Sequence, residues 1–355
     1  MKHSILSAGV FCLVFLTPLL CLGQEPYTAA TDMPENAQHG MDPHWLSLID
    51  RLAEDGMDAV RMTQLFSDLA LPWSPFFMAA KVQELYGTRL GADAQVKFLP
   101  DNEAPRPPGY MPQTTRGFDG AKALLTEHAL LLAEAHKRYG TPPSLIAAVL
   151  LLESDMGHEL GDALAFHALA SMAVTNSPEL ALQGIEEYEP PSSDLRKEME
   201  KKIQEHAAKA YAELYALISY CEASSIDMLR LTGSIYGAIG LCQFMPSNIA
   251  AYGVDSNDKG FIDLFDLADA VHSIGNFLKA KGFAEKLSVK KQLEVLRNYS
   301  DAYAELALGM SYQLAGRPVP SELRMFSTGG GARKAWWPKT RPAYRVPPLR
   351  AYGTD

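Results

Sequence analysis

A chain of 355 residues, 47% of them apolar, can bury a substantial core as one large or two modest domains. Its formal charge of −10 argues against a general nucleic-acid binder, which needs a basic surface to meet phosphate. No Cys/His cluster has zinc spacing, which removes a small zinc module from consideration.

Residues 1–23 read as an export signal: Lys2 gives the positive start, Ile5 to Leu22 the apolar run, and Gly23 a small residue before Gln24. An uncleaved anchor would need a longer run without Pro18. A lipid-attachment reading of Cys21 is opposed by bulky Leu20. The expected location is therefore the periplasm. Cleavage leaves Cys221 and Cys242, both in apolar helix-like contexts and expected as buried free thiols. Residues 24–40 are polar and expected to be disordered. Residues 41–115 form an expected N-terminal helical lobe, with Trp45, Leu46, Leu48, Ile49 and Leu52, then Val60, Met62, Leu65, Phe66 and Leu69, at helical spacing. A Pro-rich connector closes it at 100–115. From Phe118 to Tyr139 a helix is predicted, with Ala121, Leu124, Leu125, Ala129, Leu132 and Ala135 on one face.

The next segment runs Thr141-Pro142-Pro143-Ser144, then an unbroken apolar stretch from Leu145 to Leu152, then Glu153-Ser154-Asp155-Met156-Gly157. Thr141 is placed to cap a helix, and Gly157 to stop it. A helix apolar on every side is wrapped by protein. Glu153 falls in its last turn, where the helix dipole and the apolar surroundings both disfavour a negative charge. These residues alone leave two readings open: a solvated Glu leaving a core helix, or a carboxyl kept protonated for acid catalysis.

Ala163 to Val174 is predicted as another apolar helix, with His167 as a core residue. After an acidic break, Leu195, Met199, Ile203, Ala207, Ala210, Leu214 and Leu217 mark a long amphipathic helix. Gly233-Ser234-Ile235-Tyr236-Gly237-Ala238-Ile239-Gly240-Leu241-Cys242-Gln243-Phe244-Met245-Pro246-Ser247 allows tight turns and close backbone approach. It lacks the lysine and hydroxyl of a phosphate loop. Its Ser234, Gln243 and Ser247 are uncharged groups of the kind that bind sugar hydroxyls and amides. Asp255 to Asp263 has alternating oxygen donors and a central Gly260, like a calcium loop, but Lys259 stands where a fifth-position oxygen belongs. Helices are predicted over Leu264–Phe283 and Gln292–Leu314, and residues 316–355 form a Pro/Gly-rich basic tail.

In this order, the Glu153 helix end, the Gly233–Ser247 stretch and the Asp255 loop resemble the B-type lytic murein transglycosylases over residues 42–312. In that family a Glu-Thr-x-x-Gly helix end carries the catalytic acid, and Gly-Ser-x-x-Gly-Ala-Met-Gly-x-x-Gln-Phe-Met-Pro-Ser forms the glycan cleft. Here Ser154 replaces the Thr and Ile239 the Met. Soluble-type transglycosylases share Glu-Ser and Gly-Leu-x-Gln but place them closer together and lack the acidic loop. The resemblance implies a mainly α fold with little β structure: a lysozyme-like helical core at 116–315, carrying the N-terminal lobe. It implies cleavage of peptidoglycan glycan strands between N-acetylmuramic acid and N-acetylglucosamine, leaving 1,6-anhydromuramic ends. Glu153 would act as acid and then base, while Ser234, Gln243 and Asn298 hold N-acetyl and hydroxyl groups. Asp155, two residues on, points away from Glu153. No cofactor is expected, and Lys259 disfavours calcium. Three departures stand out: Lys259 itself, Arg297 where the family often has Tyr before the Asn, and the short Gly282–Asn298 interval, which leaves no room for the prototype's small β-rich subdomain. Two other readings remain: a non-catalytic peptidoglycan-binding scaffold, and a muramidase that uses water.

Overall fold

The computed structural model describes residues 41–97, 116–297 and 301–323. The export signal, the 24–40 linker, the Pro-rich connector, Asn298 and the tail beyond 323 lie outside the described residues. Thirteen α-helices and four two-residue strands make the described part mainly α.

Asp42 starts helix α1 (Pro43–Glu54) by accepting from the His44 amide at 2.9 Å, and Pro43 sits where a missing N–H costs nothing. Asp58 caps α2 (Ala59–Leu69) the same way through Arg61 N, at 2.6 Å. These helices bury Trp45, Leu48, Ile49, Leu52, Met62, Leu65, Phe66 and Leu69. Leu46 and Val60, which fit the same spacing, instead face solvent, Val60 at 68% exposure. Helix α3 (Phe76–Tyr86) buries Phe76 to Ala80 without interruption.

The helix predicted over Phe118–Tyr139 is two: α4 (Gly117–Glu127) and α5 (Ala129–Tyr139), broken at His128 (φ −114°, ψ 31°). The break shifts the helical phase, so Ala129 is exposed while Leu132 and Ala135 remain buried. Helix α6 (Pro143–Ser154) buries every residue from Ser144 to Leu152. Its N-cap is Pro142 rather than Thr141, whose hydroxyl turns instead to the Gly275 carbonyl at 3.5 Å.

Strand β2 (Ala163–Leu164) interrupts the expected helix, which begins at α7 (Ala165–Val174). His167 on α7 is a core residue, its Nε2 donating to the Pro72 carbonyl at 2.8 Å; burial lowers its pKa to about 4. Trp73 Nε1 donates to Thr175 Oγ1 at 2.9 Å, and Phe66 packs on Phe166 at 5.0 Å, so the N-terminal helices are seated on α7. The short helix α8 (Pro178–Leu182) leads to β3 (Ile185–Glu186), which pairs antiparallel with β1 (Gln95–Val96).

Helix α9 (Ser193–Ser224) lies against α7 and buries all seven positions its period marked. Strand β4 (Thr232–Gly233) then pairs with β2, in the register Ala163↔Gly233 and Leu164↔Thr232. The chain closes with α10 (Pro246–Tyr252), α11 (Leu267–Ala280), α12 (Val289–Leu296) and α13 (Asp301–Leu314). The helix predicted over Gln292–Leu314 is thus divided between α12 and α13. Helices α4 and α13 flank α6, and α11 packs on α5, so α6 runs through the middle of the molecule. Cys221 and Cys242 are separate, buried free thiols. No helix among the described residues is long and apolar enough to cross a membrane.

Candidate active site

Glu153 emerges half-buried from the buried run of α6, with its Oε1 closed off from solvent. The helix ends two residues earlier than Gly157 would stop it. Asp155, Met156 and Gly157 take left-handed φ values of 46°, 59° and 91° in succession. Asp155 N donates to Leu151 O at 3.1 Å and Met156 N to Leu150 O at 3.2 Å. The Ser154 carbonyl accepts from Gly157 N at 2.9 Å and Glu159 N at 2.8 Å, so the turn takes up carbonyls that the end of α6 leaves open. Two non-glycine residues in this conformation cost roughly 1–2 kcal/mol each. The Asp155 side chain offsets part of that cost: its carboxylate accepts from Gly117 N at 2.6 Å and from Arg116 Nε at 3.0 Å. Arg116 also pairs with Glu159. Asp155 is therefore committed to the start of α4, away from the Glu153 chemistry. It lies just past the end of α6, so the left-handed turn and its partners Arg116 and Gly117 direct it there rather than helical geometry.

Ser154 joins this turn to the glycine-rich stretch. Its hydroxyl, fully buried, donates to Leu241 O at 2.7 Å and accepts from Gly157 N at 3.1 Å. That bond brings Leu241 and Cys242 beside Glu153. The Cys242 thiol is pushed well above its usual range, first by burial and then by the charge of Glu153.

The stretch itself is a compact backbone weave. Ile239 and Phe244 exchange amide-to-carbonyl bonds at 2.9 and 3.1 Å, and Ser234 N donates to Ala238 O at 2.8 Å. A Cβ on Gly161 would lie 2.1 Å from the Gly233 carbonyl, and one on Gly233 would lie 2.2 Å from that of Ala238. These contacts are backbone on backbone, so glycine is required for the approach itself. Ser234 Oγ accepts from the amides of Tyr236 (3.2 Å) and Ala238 (3.0 Å). Gln243, itself left-handed at φ 47°, donates its amide hydrogens to Leu160 O (3.1 Å) and Gly240 O (2.9 Å). Both side chains thus shape the loop, and what each offers a ligand is the Ser234 hydroxyl proton and the Gln243 Oε1. Glu153, Ser234 and Gln243 share one assembly; Asn298 lies outside the described residues.

Sequence reasoning missed a support from the N-terminal helices. Tyr236 OH donates to Glu84 Oε2 at 2.9 Å, and Lys81 Nζ lies 4.0 Å over the Tyr236 ring while pairing with Glu84 at 2.6 Å. Burial first, and then Glu84, push the Tyr236 phenol far above its ordinary value. No local pattern marks a contact across 152 residues. Arg116 was equally silent. A cavity of about 590 Å³ between α2 and the end of α9, near Arg61, Cys221 and Glu222, does not include Glu153. Among the described residues no group of three or more His, Cys, Asp or Glu side chains is placed to hold a metal.

The sequence profile of the transglycosylase SLT domain matches residues 79–317, well over half of the chain. Membrane-bound lytic murein transglycosylase B of Escherichia coli K12 is 30% identical over 154 residues, which is 43% of this chain and 35% of that protein. The match thus spans about a third of that relative's length. Among solved structures, the catenated lytic transglycosylase SltB1 from Pseudomonas aeruginosa aligns with a TM-score of 0.54 at 18% identity, over 78% of this chain and 97% of its own. A 36 kDa muramidase/transglycosylase aligns with a TM-score of 0.51 at 17% identity, over 80% and 98%. At these identities the structural matches show a shared fold.

Proposed function

Because the chain belongs to the transglycosylase SLT domain family, we propose that it is a lytic transglycosylase of peptidoglycan with Glu153 as its acid and base. The observation that carries this reading is the join between Glu153's helix end and the glycine-rich stretch through the buried Ser154–Leu241 hydrogen bond. It sets one carboxyl, with a solvent-shielded oxygen, against a polar backbone loop suited to sugar hydroxyls and amides.

The chemistry runs in two steps on that single group. Neutral Glu153 donates its proton to the oxygen linking N-acetylmuramic acid to N-acetylglucosamine, and the C1–O bond breaks. The substrate's own N-acetyl oxygen stabilises the positive charge that develops at C1, as in substrate-assisted glycosidases. The carboxylate then takes the proton of the muramic C6 hydroxyl, and the C6 oxygen bonds to C1. The acid is regenerated and no water is consumed. The C-terminal helix end and the apolar run behind Glu153 favour the neutral acid needed at the start. Ser234, Gln243 and Asn298 hold the N-acetyl and hydroxyl groups, with Gln243 acting as an acceptor. Residues 116–315 form the catalytic core, and the 41–115 lobe steadies it through Glu84 and Tyr236. The first 23 residues direct export to the periplasm.

Glu153→Gln keeps the shape of the side chain and removes its proton transfer. General acid–base catalysis is worth about 10²–10⁴-fold, so release of muropeptides from purified sacculi should fall by at least that factor while the circular dichroism spectrum is unchanged. Products of the unsubstituted protein should be about 18 Da lighter than hydrolysed ones, because no water is added. Reducing-end muramic acid alone would make it a muramidase, and no release at all a binding scaffold.

A further inference from the structure

The Asp255–Asp266 segment has the spacing of a calcium loop, yet its donors do not fit the ion. Oxygen ligands in such loops come from positions 1, 3, 5, 7, 9 and 12, with glycine at 6. Those positions are Asp255, Asn257, Lys259, the Phe261 carbonyl, Asp263 and Asp266, with Gly260 at the sixth. The fifth-position ammonium, although exposed, folds back onto the loop. Lys259 Nζ donates to Asp266 Oδ2, the twelfth-position ligand, at 3.1 Å. The Asn257 amide is satisfied with its oxygen toward Lys259, accepting from Nζ at 3.1 Å, and its nitrogen toward Asp255 Oδ1, also at 3.1 Å. The ammonium therefore holds third- and twelfth-position oxygens that a divalent ion would bind.

The rest of the loop is closed by hydrogen bonds to its own amides and from α11. Asp255 accepts from the amides of Lys259 (3.1 Å) and Gly260 (2.7 Å). Asp269, fully buried on α11, gathers Ser256 N, Ser256 Oγ and Asp263 N at 2.8, 2.7 and 2.9 Å.

We propose that the Lys259 ammonium is the loop's resident cation, tethered by its own side chain in place of a divalent ion. The loop bears on the candidate active site through Leu241 N, which donates to Leu264 O at 2.9 Å, and through Gly240, where a Cβ would lie 2.4 Å from that of Leu264. A covalently supplied cation frees that support from the metal supply. The inference stands apart from the catalytic reading, and its test reads stability alone.

Thermal melts of the full chain in EDTA and in about 10 mM calcium, with magnesium as a control, compare the unsubstituted protein with Lys259→Asp and Lys259→Met. The unsubstituted protein should melt at the same temperature in both. Lys259→Met should melt lower in both, having lost the cation without gaining a ligand. Lys259→Asp completes the oxygen set; it should melt lower in EDTA and recover by roughly 5 °C, saturably, in calcium. Folding of Lys259→Asp only when calcium is present counts as the same result. A calcium response in the unsubstituted protein, no loss in Lys259→Met, or no calcium response in Lys259→Asp would each overturn the proposal.

Discussion

The turn after Glu153 and the Asp255–Asp266 loop are both rich in carboxylates, and in each a basic side chain pairs with an Asp. They differ in where their partners come from. Asp155 reaches Arg116, 39 residues away, and Ser154 reaches Leu241, 87 residues away. The hydrogen bonds of the loop's carboxylates stay within the loop and the first turn of α11. The longest made to it by a nearby carboxylate spans the 13 residues from Asp269 to Ser256, while Tyr220 OH and Leu241 N reach only its backbone carbonyls at Ile262 and Leu264. The loop's side-chain pairs are made close by in sequence, whereas the turn that presents Glu153 exists only once α4, α6 and the glycine-rich stretch have come together. Damage to tertiary contacts should therefore disarm the Glu153 turn first.

The sharpest way to break that contrast is Gly161→Ala. Gly161 is left-handed at φ 88°, and a Cβ would strike the Gly233 backbone at 2.1 Å. Backbone cannot step aside as a side chain does, so overpacking and conformational strain together should cost about 3 kcal/mol or more. Urea unfolding should show the loss, and lytic activity should fall in the fraction that stays folded. An unchanged midpoint would mean that the β2–β4 contact does not constrain the site.

A probe of similar size lies away from both turns. His167 titrates near 4 in the fold against about 6.5 unfolded. Above 6.5 both states are neutral and the residue is silent. As pH falls from 6.5 to 4 the unfolded chain takes up a proton that the fold refuses, and stability drops by about 3 kcal/mol. His167→Gln should flatten that part of the pH–stability curve, measured by urea unfolding at several pH values. A curve with the same slope would assign the acid sensitivity to other groups.

Ser154→Ala comes next. It leaves the buried Leu241 carbonyl without the 2.7 Å donor, at a cost of about 1–3 kcal/mol. Because the same bond sets the glycine-rich stretch against Glu153, kcat should fall further than stability explains, and Ser154→Thr should restore both. If the Ala variant is slowed only in proportion to its unfolding, the bond holds the fold and not the site.

Periodicity revealed the parts of this molecule whose burial repeats over many turns. All seven apolar steps from Leu195 to Leu217 are buried because 32 residues of α9 average out local irregularity. The break at His128 escaped notice because no Gly or Pro marks it. Strands β2 and β4 are two residues each, set by backbone pairing at Gly233, and so leave no alternation to read. Glu153 stood out because it ends an apolar run, and Ser234 and Gln243 because they lie in a glycine-rich stretch. The partners that fix them, Arg116, Glu84 and Lys81, are ordinary charged residues whose proximity arises only in the folded chain.

The smallest effect belongs to the Asp255–Asp266 loop. Gly260 has φ 89°, nearly the same as Gly161, but nothing lies within 4 Å of a Cβ built there. Alanine keeps the amide that donates to Asp255 Oδ2 at 2.7 Å. Only the backbone preference remains, worth about 1 kcal/mol, or roughly 2–4 °C in Tm for a chain of this kind. Activity at 25 °C should not change, since the link from Leu264 to Leu241 lies outside the substituted turn. Two glycines of matching conformation thus separate local strain from tertiary contact. Equal losses at Gly161 and Gly260 would show that backbone conformation accounts for both, and that the Glu153 turn depends on distant partners no more than the loop does.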